Sequence, residues 1–370
     1  MHILLIEPFC TGSHQQWAEG WRAHSRHRIE LLTLPGRHWK WRMHGGAITL
    51  AQRFLQQNSE PDLIIATDML DLTTFLALTR QRTAHLPTVV YFHENQLTYP
   101  WSPTDQDTKS FRDQHYAFIN VASATAADEV WFNSQYHHDA FTQVLPKFLN
   151  QYPDHRNAET ASIISAKSQV LPIGLALHRF DDMGSSPVTN RVPIVLWNHR
   201  WEYDKNPDLF FKTLFRLADE EVDFQLVVLG TRYRRSPIIF DKARDRLRER
   251  ILQFGPVEQA ADYAKWLHRA DLLPVTSRQD FFGISAVEAM YCGTLPLLPN
   301  RLAFPEHLPQ AVHSKLFYDS ELEFYEKLKI QLEQHHQMWK TRAIVQKSVE
   351  KYDWKRLVKR YDDRCVALSR

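Results

Sequence analysis

Short runs of almost wholly apolar residues alternate along the chain with longer stretches of mixed polarity. In the first half the apolar runs fall at residues 3–7, 29–34, 63–67, 88–93 and 130–134. Mixed stretches with helical spacing fall at 15–24, 48–57, 72–81 and 111–127. A run that is apolar at every position, rather than at alternate ones, predicts a strand covered on both faces. Such strands separated by helices imply a parallel sheet sandwiched between helical layers. The pattern dissolves into a polar linker at 181–187 and then restarts with apolar runs at 194–197, 224–229, 251–254, 272–275 and 295–298. From residue 322 onward the chain reads as helix, ending in Trp354-Lys355-Arg356-Leu357-Val358. The expected class is therefore α/β, with two Rossmann-like, doubly wound domains facing each other across a cleft. The first domain is expected over 1–184 and the second over 185–345. The segment 346–370 is expected to be a helix that crosses back to the first domain. Ligands in such sheets sit at the carboxyl ends of strands, and paired domains form clefts.

Composition narrows the partners. At 370 residues, 44% apolar and 24% charged, the chain is an ordinary globular protein with room for two cores. Lys and Arg number 45 against 43 Asp and Glu, a formal charge of +2, so no global field drives nucleic-acid binding and any such contact needs local patches. Three well-separated cysteines, Cys10, Cys292 and Cys365, give no disulfide framework. No C-x-x-C or H-E-x-x-H spacing suggests a metal. The one Asp-x-Asp, Asp105-Gln106-Asp107, follows Pro103 in a polar stretch and reads as solvated charge. Met1 leads directly into an apolar strand without a signal-peptide pattern, and no apolar run is long enough for a bilayer span, so a cytoplasmic protein is expected.

The chemistry concentrates just past strand ends. After the 272–275 run comes Thr276-Ser277-Arg278-Gln279-Asp280-Phe281-Phe282-Gly283, and a helix of small and apolar residues begins near Gly283, with Glu288 inside it. A helix N-terminus attracts phosphate, and acids at Asp280 and Glu288 suit hydroxyls on either side. A nucleotide sugar combines those groups. The plainer alternative makes Asp280 an N-cap and Glu288 a salt-bridged helix residue. In the same half, Arg200 and Lys205 follow the 194–197 run and would face an anion together. Arg232 adds charge after Leu229-Gly230-Thr231, and Gly255-Pro256-Val257 ends another strand.

In the first half, Glu7-Pro8-Phe9-Cys10-Thr11-Gly12-Ser13-His14 lies where a dinucleotide fingerprint would be, but its single glycine rules out G-x-G-x-x-G. Gly12 still permits close backbone approach, although a simple turn capped by Ser13 fits equally. Arg37-His38-Trp39-Lys40-Trp41-Arg42 interleaves cations with two tryptophans in what reads as a loop. That composition suits stacked, unpaired bases with nearby phosphates, or tryptophans plugging an interface. His93-Glu94-Asn95-Gln96 leaves a buried strand at its carboxyl end and reads as a polar site rather than a structural histidine.

Taken together, the tandem domains, Arg200 with Lys205, Gly255-Pro256-Val257 and the acid-x7-acid pattern of Asp280 and Glu288 resemble the retaining glycosyltransferases of GT-B architecture. The first half is similar to the tRNA-queuosine α-mannosyltransferases. That likeness rests on Gly12-Ser13-His14, Trp39-Lys40-Trp41-Arg42, the run from Tyr91 through His93 to Pro100, Phe132-Asn133-Ser134 and Pro153-Asp154-His155-Arg156. The resemblance implies GDP-mannose as donor, the queuosine cyclopentenediol of tRNA as acceptor, and no metal or other cofactor. It implies catalytic roles for His93, Arg200, Lys205 and Asp280. Donor contacts would come from Gly12, Arg232, Val257, Phe281, Phe282, Gly283, Ile284 and Glu288. Acceptor contacts would come from His14, Arg37, Trp39, Lys40, Trp41, Arg42, Glu94, Asn95 and Gln96. One departure is Asp280, where such enzymes usually carry the longer Glu. Two alternatives stay open at this point. One is the same donor chemistry with a lipid or glycan acceptor, although the 15–24 helix is not the strongly basic amphipathic type that docks on membranes. The other is a GT-B scaffold that binds RNA without catalysis.

Overall fold

The computed structural model describes residues 1–101, 107, 114–183, 190–232 and 236–369. The chain divides into two compact units, Met1–Ala176 with Trp354–Arg370, and Leu177–Asp353. No helix among the described residues is long and apolar enough to cross a membrane.

In the first unit, strands β1 (His2–Cys10), β2 (Arg28–Pro35), β3 (Leu63–Thr67), β4 (Thr88–Phe92), β5 (Glu129–Phe132) and β6 (Ser168–Val170) form one sheet in the order β2-β1-β3-β4-β5-β6. Every pairing is parallel. Helices α1 (Gly12–His24), α2 (Trp39–Gln56), α3 (Leu72–Thr83), α4 (Gln114–Ala126), α5 (Gln135–Leu149) and α6 (Thr160–Ala166) make the crossovers. β3, β4 and β5 are buried at every position, as their unbroken apolar runs predict. β6 was not expected, because Ser168-Gln169-Val170 is too short and polar to stand out.

The stretch around Trp39 and Trp41 is helix rather than loop. Trp39, Met43, Ala47, Leu50 and Phe54 recur at helical spacing and pack inward, carrying α2 through the Gly45-Gly46 pair that made the segment look broken.

The second unit repeats the plan. β7 (Ile194–Trp197), α7 (Pro207–Asp219), β8 (Gln225–Val228), α8 (Ile239–Arg246), β9 (Ile251–Phe254), α9 (Ala260–Arg269), β10 (Leu272–Pro274), α10 (Ile284–Tyr291), β11 (Leu295–Pro299) and β12 (Phe317–Tyr318) are followed by α11 (Glu321–Glu333) and α12 (Trp339–Val349). The strand order is β12-β11-β10-β7-β8-β9, again all parallel. The two-residue β12 also escaped the sequence pattern. The order reverses between β1 and β3 in the first sheet and between β7 and β10 in the second. Crossovers diverge at such a reversal and open a crevice beyond the strand ends.

The last helix, α13 (Trp354–Leu368), packs on the first unit. Trp354, Leu357, Tyr361 and Cys365 form its buried stripe. The Tyr361 hydroxyl accepts from Trp17 Nε1 (3.2 Å) and donates to the Pro172 carbonyl (2.7 Å). Asp362 accepts from Trp21 Nε1 (3.3 Å) and Ser25 Oγ (2.6 Å). The Trp354 indole fills the space a side chain would take at Gly20 and Gly174, where a Cβ would lie 2.2 and 2.4 Å from the ring. Trp354→Ala leaves an indole-sized cavity, and urea denaturation is expected to show a loss of about 3–5 kcal/mol.

Candidate functional site

Both reversal points carry buried polar side chains, and several of their atoms make no hydrogen bond to protein. Such atoms are uncommon in folded interiors, where an ordered water, an ion or a ligand normally satisfies them.

In the first unit the centre is His93, the residue after β4. Its backbone N–H donates to Asp68 Oδ1 (2.8 Å), and its carbonyl accepts from Asn133 Nδ2 (2.8 Å). Asp68 follows β3, and its own carbonyl accepts from Asn120 Nδ2 (2.8 Å). The Asn120 side-chain oxygen takes the Gln96 N–H (2.7 Å), and Asn95 Oδ1 takes the Thr98 N–H (2.8 Å). The turn after β4 is thus fixed from three directions. The His93 ring lies against His14 (4.2 Å between centroids), Trp17 (4.7 Å) and Tyr91 (4.8 Å), and its Nε2 is buried without a protein partner.

His14 sits in the first turn of α1, past Gly12 (φ 50°), and its Nδ1 meets Glu7 Oε2 at 2.9 Å. The other Glu7 oxygen accepts the Phe9 N–H (2.7 Å), so a fully buried carboxylate is held by a cation and an amide. Burial alone would lower the His14 pKa. The Glu7 carboxylate outweighs that and raises it to about 9. His93 moves the other way, pushed well below its usual value by burial and by the neighbouring His14 charge. Two imidazoles in contact, tilted by 38°, therefore carry different charges at neutral pH, one cationic and one neutral. Glu7, His14 and His93 each have a ligand atom within 4.8 Å of the others. A metal held by these three would have to displace the proton that His14 shares with Glu7, because a protonated ring nitrogen has no lone pair to give.

In the second unit the loops after β7 and β10 meet. Lys205 Nζ lies 3.0 Å from Asp280 Oδ1, 3.0 Å from Asp204 Oδ2 and 2.9 Å from the Gln279 carbonyl. Burial works against the Lys205 charge, but the two carboxylates raise its pKa, and Lys205 in turn holds Asp280 below its ordinary value against burial. His199 Nδ1 is 2.8 Å from Ser285 Oγ at the start of α10. Its Nε2 has no protein partner, and burial lowers its pKa to about 4, so the ring is neutral. Asn198 Nδ2 donates to the Ser285 carbonyl (2.7 Å), leaving its Oδ1 without a protein partner. Gly283 (φ 83°) precedes α10, and a Cβ there would also strike Phe304 at 2.8 Å. The amides of Ile284 and Ser285 lie ahead of the first intrahelical bonds, which run from Ala286 and Val287 to the Gly283 carbonyl, and so give α10 an anion-attracting end. One turn on, Glu288 accepts from Arg179 Nη2 (2.7 Å) and from the Tyr263 hydroxyl (2.9 Å). Burial raises its pKa despite the Arg179 cation.

Residues 2–175 match the family described as tRNA-queuosine alpha-mannosyltransferase N-terminal, and residues 179–344 match Glycosyl transferases group 1. A Drosophila melanogaster protein named tRNA-queuosine alpha-mannosyltransferase is 34% identical over 317 residues, covering 84% of this chain and 82% of the relative. The chain belongs to the tRNA-queuosine alpha-mannosyltransferase family. A D-inositol 3-phosphate glycosyltransferase of Xylanimonas cellulosilytica is 30% identical over 141 residues, 34% of this chain and 33% of that protein. Among solved structures, the chain is similar to sucrose-phosphate synthase from Thermosynechococcus elongatus (TM-score 0.72, 14% identity, 100% and 99% of the two chains). It is also similar to Anabaena HepE in complex with UDP and glucose (TM-score 0.68, 16% identity, 99% and 100%). These structures share the GT-B glycosyltransferase fold with this family member.

Within this mannosyltransferase-family fold, the residues singled out from the sequence fall into distinct places. Gly12, His14, His93, Glu94, Asn95 and Gln96 cluster at the first reversal point, with Gln96 Nε2 donating to Glu94 (2.9 Å). Lys205, Asp280, Gly283, Ile284 and Glu288 cluster at the second. Phe281 and Phe282 beside them are buried side chains, Phe282 packing on His307 and Tyr352. Arg200 is half exposed with Glu202 Oε2 at 3.2 Å, and Arg232 is paired with Asp241 (3.2 Å). Val257 is half-buried beyond the edge strand β9. Trp39 joins Trp101 and Tyr116, and Lys40 pairs with Asp107 (2.5 Å), while Asp105 and Gln106 lie outside the described residues. Arg37, Trp41 and Arg42 lie at the start of α2 or just before it. The sequence did not single out Asp68, Asn120, Arg179, Tyr263 or His199 as site residues, because each is one polar residue in an apolar or unremarkable setting. Two signals were available: Asp68 lies just past a strand end, and His199 lies just past another, beside Arg200.

The Glu7–His14 pair makes a testable pH signature. His14 is raised above its unfolded value of about 6.5, so its stabilisation is full below that pH and is lost as pH rises through about 9. Wild type is expected to lose on the order of 3 kcal/mol relative to Glu7→Gln between pH 6 and pH 9.5, read by urea denaturation. Equal pH dependence in the two proteins would sink the pairing.

Proposed function

We propose that this chain transfers mannose from GDP-mannose to the cyclopentenediol of queuosine in tRNA, with retention at the anomeric carbon. The observation that carries this reading is the 34% identity to the Drosophila melanogaster tRNA-queuosine alpha-mannosyltransferase over 84% of the chain. In this proposal the nucleotide lies along the reversal point of the second sheet. Glu288, held by Arg179 and Tyr263, accepts from the ribose hydroxyls. The free amides of α10 and the Arg200 guanidinium meet the diphosphate, and Asp280 takes the sugar hydroxyls. The acceptor belongs to the first unit, where His93 is the residue proposed to meet a hydroxyl.

The acceptor hydroxyl attacks the anomeric carbon as the bond to the diphosphate breaks on the same face, and its proton passes to the departing phosphate oxygen. Charge builds on the leaving group, so the protein contributes placement and electrostatics rather than a nucleophile. Amides and side-chain cations provide that compensation, and transfer is proposed to need no metal and to persist in a chelator.

Lys205 and Arg200 contribute differently. An ammonium has three N–H bonds, and Gln279, Asp280 and Asp204 lie in reach of all three. Lys205 therefore acts through its charge and by positioning Asp280. Its removal would take the ammonium away from two buried carboxylates and disturb the fold. Arg200→Ala is the cleaner test. Turnover is expected to fall by about 10²–10³ with thermal stability retained, the cost typical of one preorganised group facing developing charge. Near-wild-type transfer would refute the clamp.

The function itself is tested by incubating the protein with radiolabelled GDP-mannose and tRNA with or without queuosine. Label is expected only in the queuosine-containing tRNA. Label in a lipid or glycan fraction, or none anywhere, overturns the proposal.

A further inference from the structure

The geometry points to Trp41 as a stacking platform for one unpaired base of the acceptor RNA, held face-out by the glycine one turn along α2. This inference rests on the RNA acceptor proposed above and assigns a residue and a mode of contact to it.

Trp39 and Trp41 are two residues apart, yet the helix gives them opposite fates. Trp39 packs into a small cluster with Trp101 (6.1 Å between centroids) and Tyr116 (5.2 Å), beside Met43, Met69 and Ile119. Trp41 is 63% exposed, and among the described residues no ring or cation stacks on it. It is nevertheless not loose. A Cβ at Gly45 would lie 2.4 Å from Trp41 Cζ2, 2.5 Å from Cε2 and 3.0 Å from Nε1, so the indole rests directly on the bare backbone of the next turn. One side of the ring is backed by the helix and the other is open. An aromatic ring fixed in this way costs little entropy to stack upon, which is what a base platform requires.

The charge around it selects the occupant. From Gly36 through Arg53 the chain has no Asp or Glu, and it carries Arg37, Lys40, Arg42 and Arg53 together with His38 and His44. Lys40 is committed to Asp107 (2.5 Å), and Arg53 to the Thr33 carbonyl (3.1 Å). Arg37 is exposed, and Arg42, tied through Nε to the Pro35 carbonyl (3.2 Å), flanks the indole in sequence. An exposed aromatic face within an acid-free basic segment complements a base with phosphates on either side. An apolar protein partner would find no continuous greasy surface here, since exposed His44 and Gln52 separate Trp41, Ile48 and Leu55 along this face.

Binding of queuosine-containing tRNA, of the same tRNA lacking queuosine, and of a blunt RNA duplex is measured for wild type, Trp41→Ala, Trp41→Phe, Gly45→Ala and Arg37→Ala. Trp41→Ala is expected to weaken tRNA binding roughly 5- to 100-fold, the range for losing one base–aromatic stack, to leave duplex binding unchanged and to leave the salt dependence unchanged. Trp41→Phe is expected to restore most of the affinity. Arg37→Ala is expected to lower the salt slope by about one while keeping the tRNA-over-duplex preference. Gly45→Ala is the decisive variant. Alanine is the better helix former, so the melting temperature is expected to hold or rise, while the displaced indole costs tRNA affinity. Trp41→Ala and Gly45→Ala binding tRNA within twofold of wild type overturns the platform while leaving mannosyl transfer standing. Wild type that neither binds nor modifies tRNA overturns the transfer reading and the platform with it. Equal losses on tRNA and duplex overturn the stacking mode.

Discussion

A parallel sheet covered on both faces has little room for charge except at its strand ends, and in both sheets here the fully buried charged side chains gather there. The two kinds of end are treated differently. At amino ends the buried carboxylates are fully engaged. Glu129, opening β5, takes Trp131 Nε1 (2.7 Å) and Arg364 Nε (2.9 Å). Asp271, ahead of β10, takes the Ile194 N–H (3.0 Å), Asn190 Nδ2 (2.7 Å) and Arg342 (3.0 Å). At carboxyl ends His93, Asn198 and His199 keep polar atoms without protein partners. Leaving a buried polar atom unpaired costs on the order of 1–3 kcal/mol. Most of the buried side-chain atoms left in that state among the described residues lie beside the two reversal points, Gln331 and Trp354 being exceptions elsewhere.

The architecture was legible because burial on both faces writes itself as unbroken apolar runs. Residues 63–67, 194–197 and 251–254 match strands to the residue. What escaped was structure held by few residues or by unusual ones. β6 and β12 are three and two residues long and gain their register from a neighbour rather than from their own composition. The amino end of α2 was read as a loop because two tryptophans, Lys40, Arg42 and a glycine pair obscure the apolar stripe beneath them. The site was legible where chemistry sits in consecutive residues, as in His93-Glu94-Asn95-Gln96. It was not legible where the partner is distant: Arg179 reaches Glu288 across 109 positions and Asp68 reaches the His93 backbone across 25. Periodicity reports which face a residue takes and says nothing of which buried polar group it will meet.

The two reversal points also divide the electrostatic work. In the second unit, Lys205 is enclosed by acceptors, so its charge is spent on holding Asp204 and Asp280 in place, and that small cluster carries a net negative charge. Such a cluster suits sugar hydroxyls, which donate, better than phosphates, which repel it. The anion-attracting features stand apart from it, in the free amides of α10 and the exposed Arg200 guanidinium. In the first unit the arrangement is inverted. Glu7 is the enclosed group and His14 the cation it sustains, pressed against a His93 ring that burial, and then the His14 charge, keep neutral. A neutral imidazole with a free nitrogen can both accept and donate through its two ring atoms, whereas a protonated one only donates. The Glu7–His14 pair thus does more than fix the first turn of α1. The His14 charge adds to burial in disfavouring a second proton on His93, whose neutral ring keeps a nitrogen able to take a hydrogen bond from a hydroxyl.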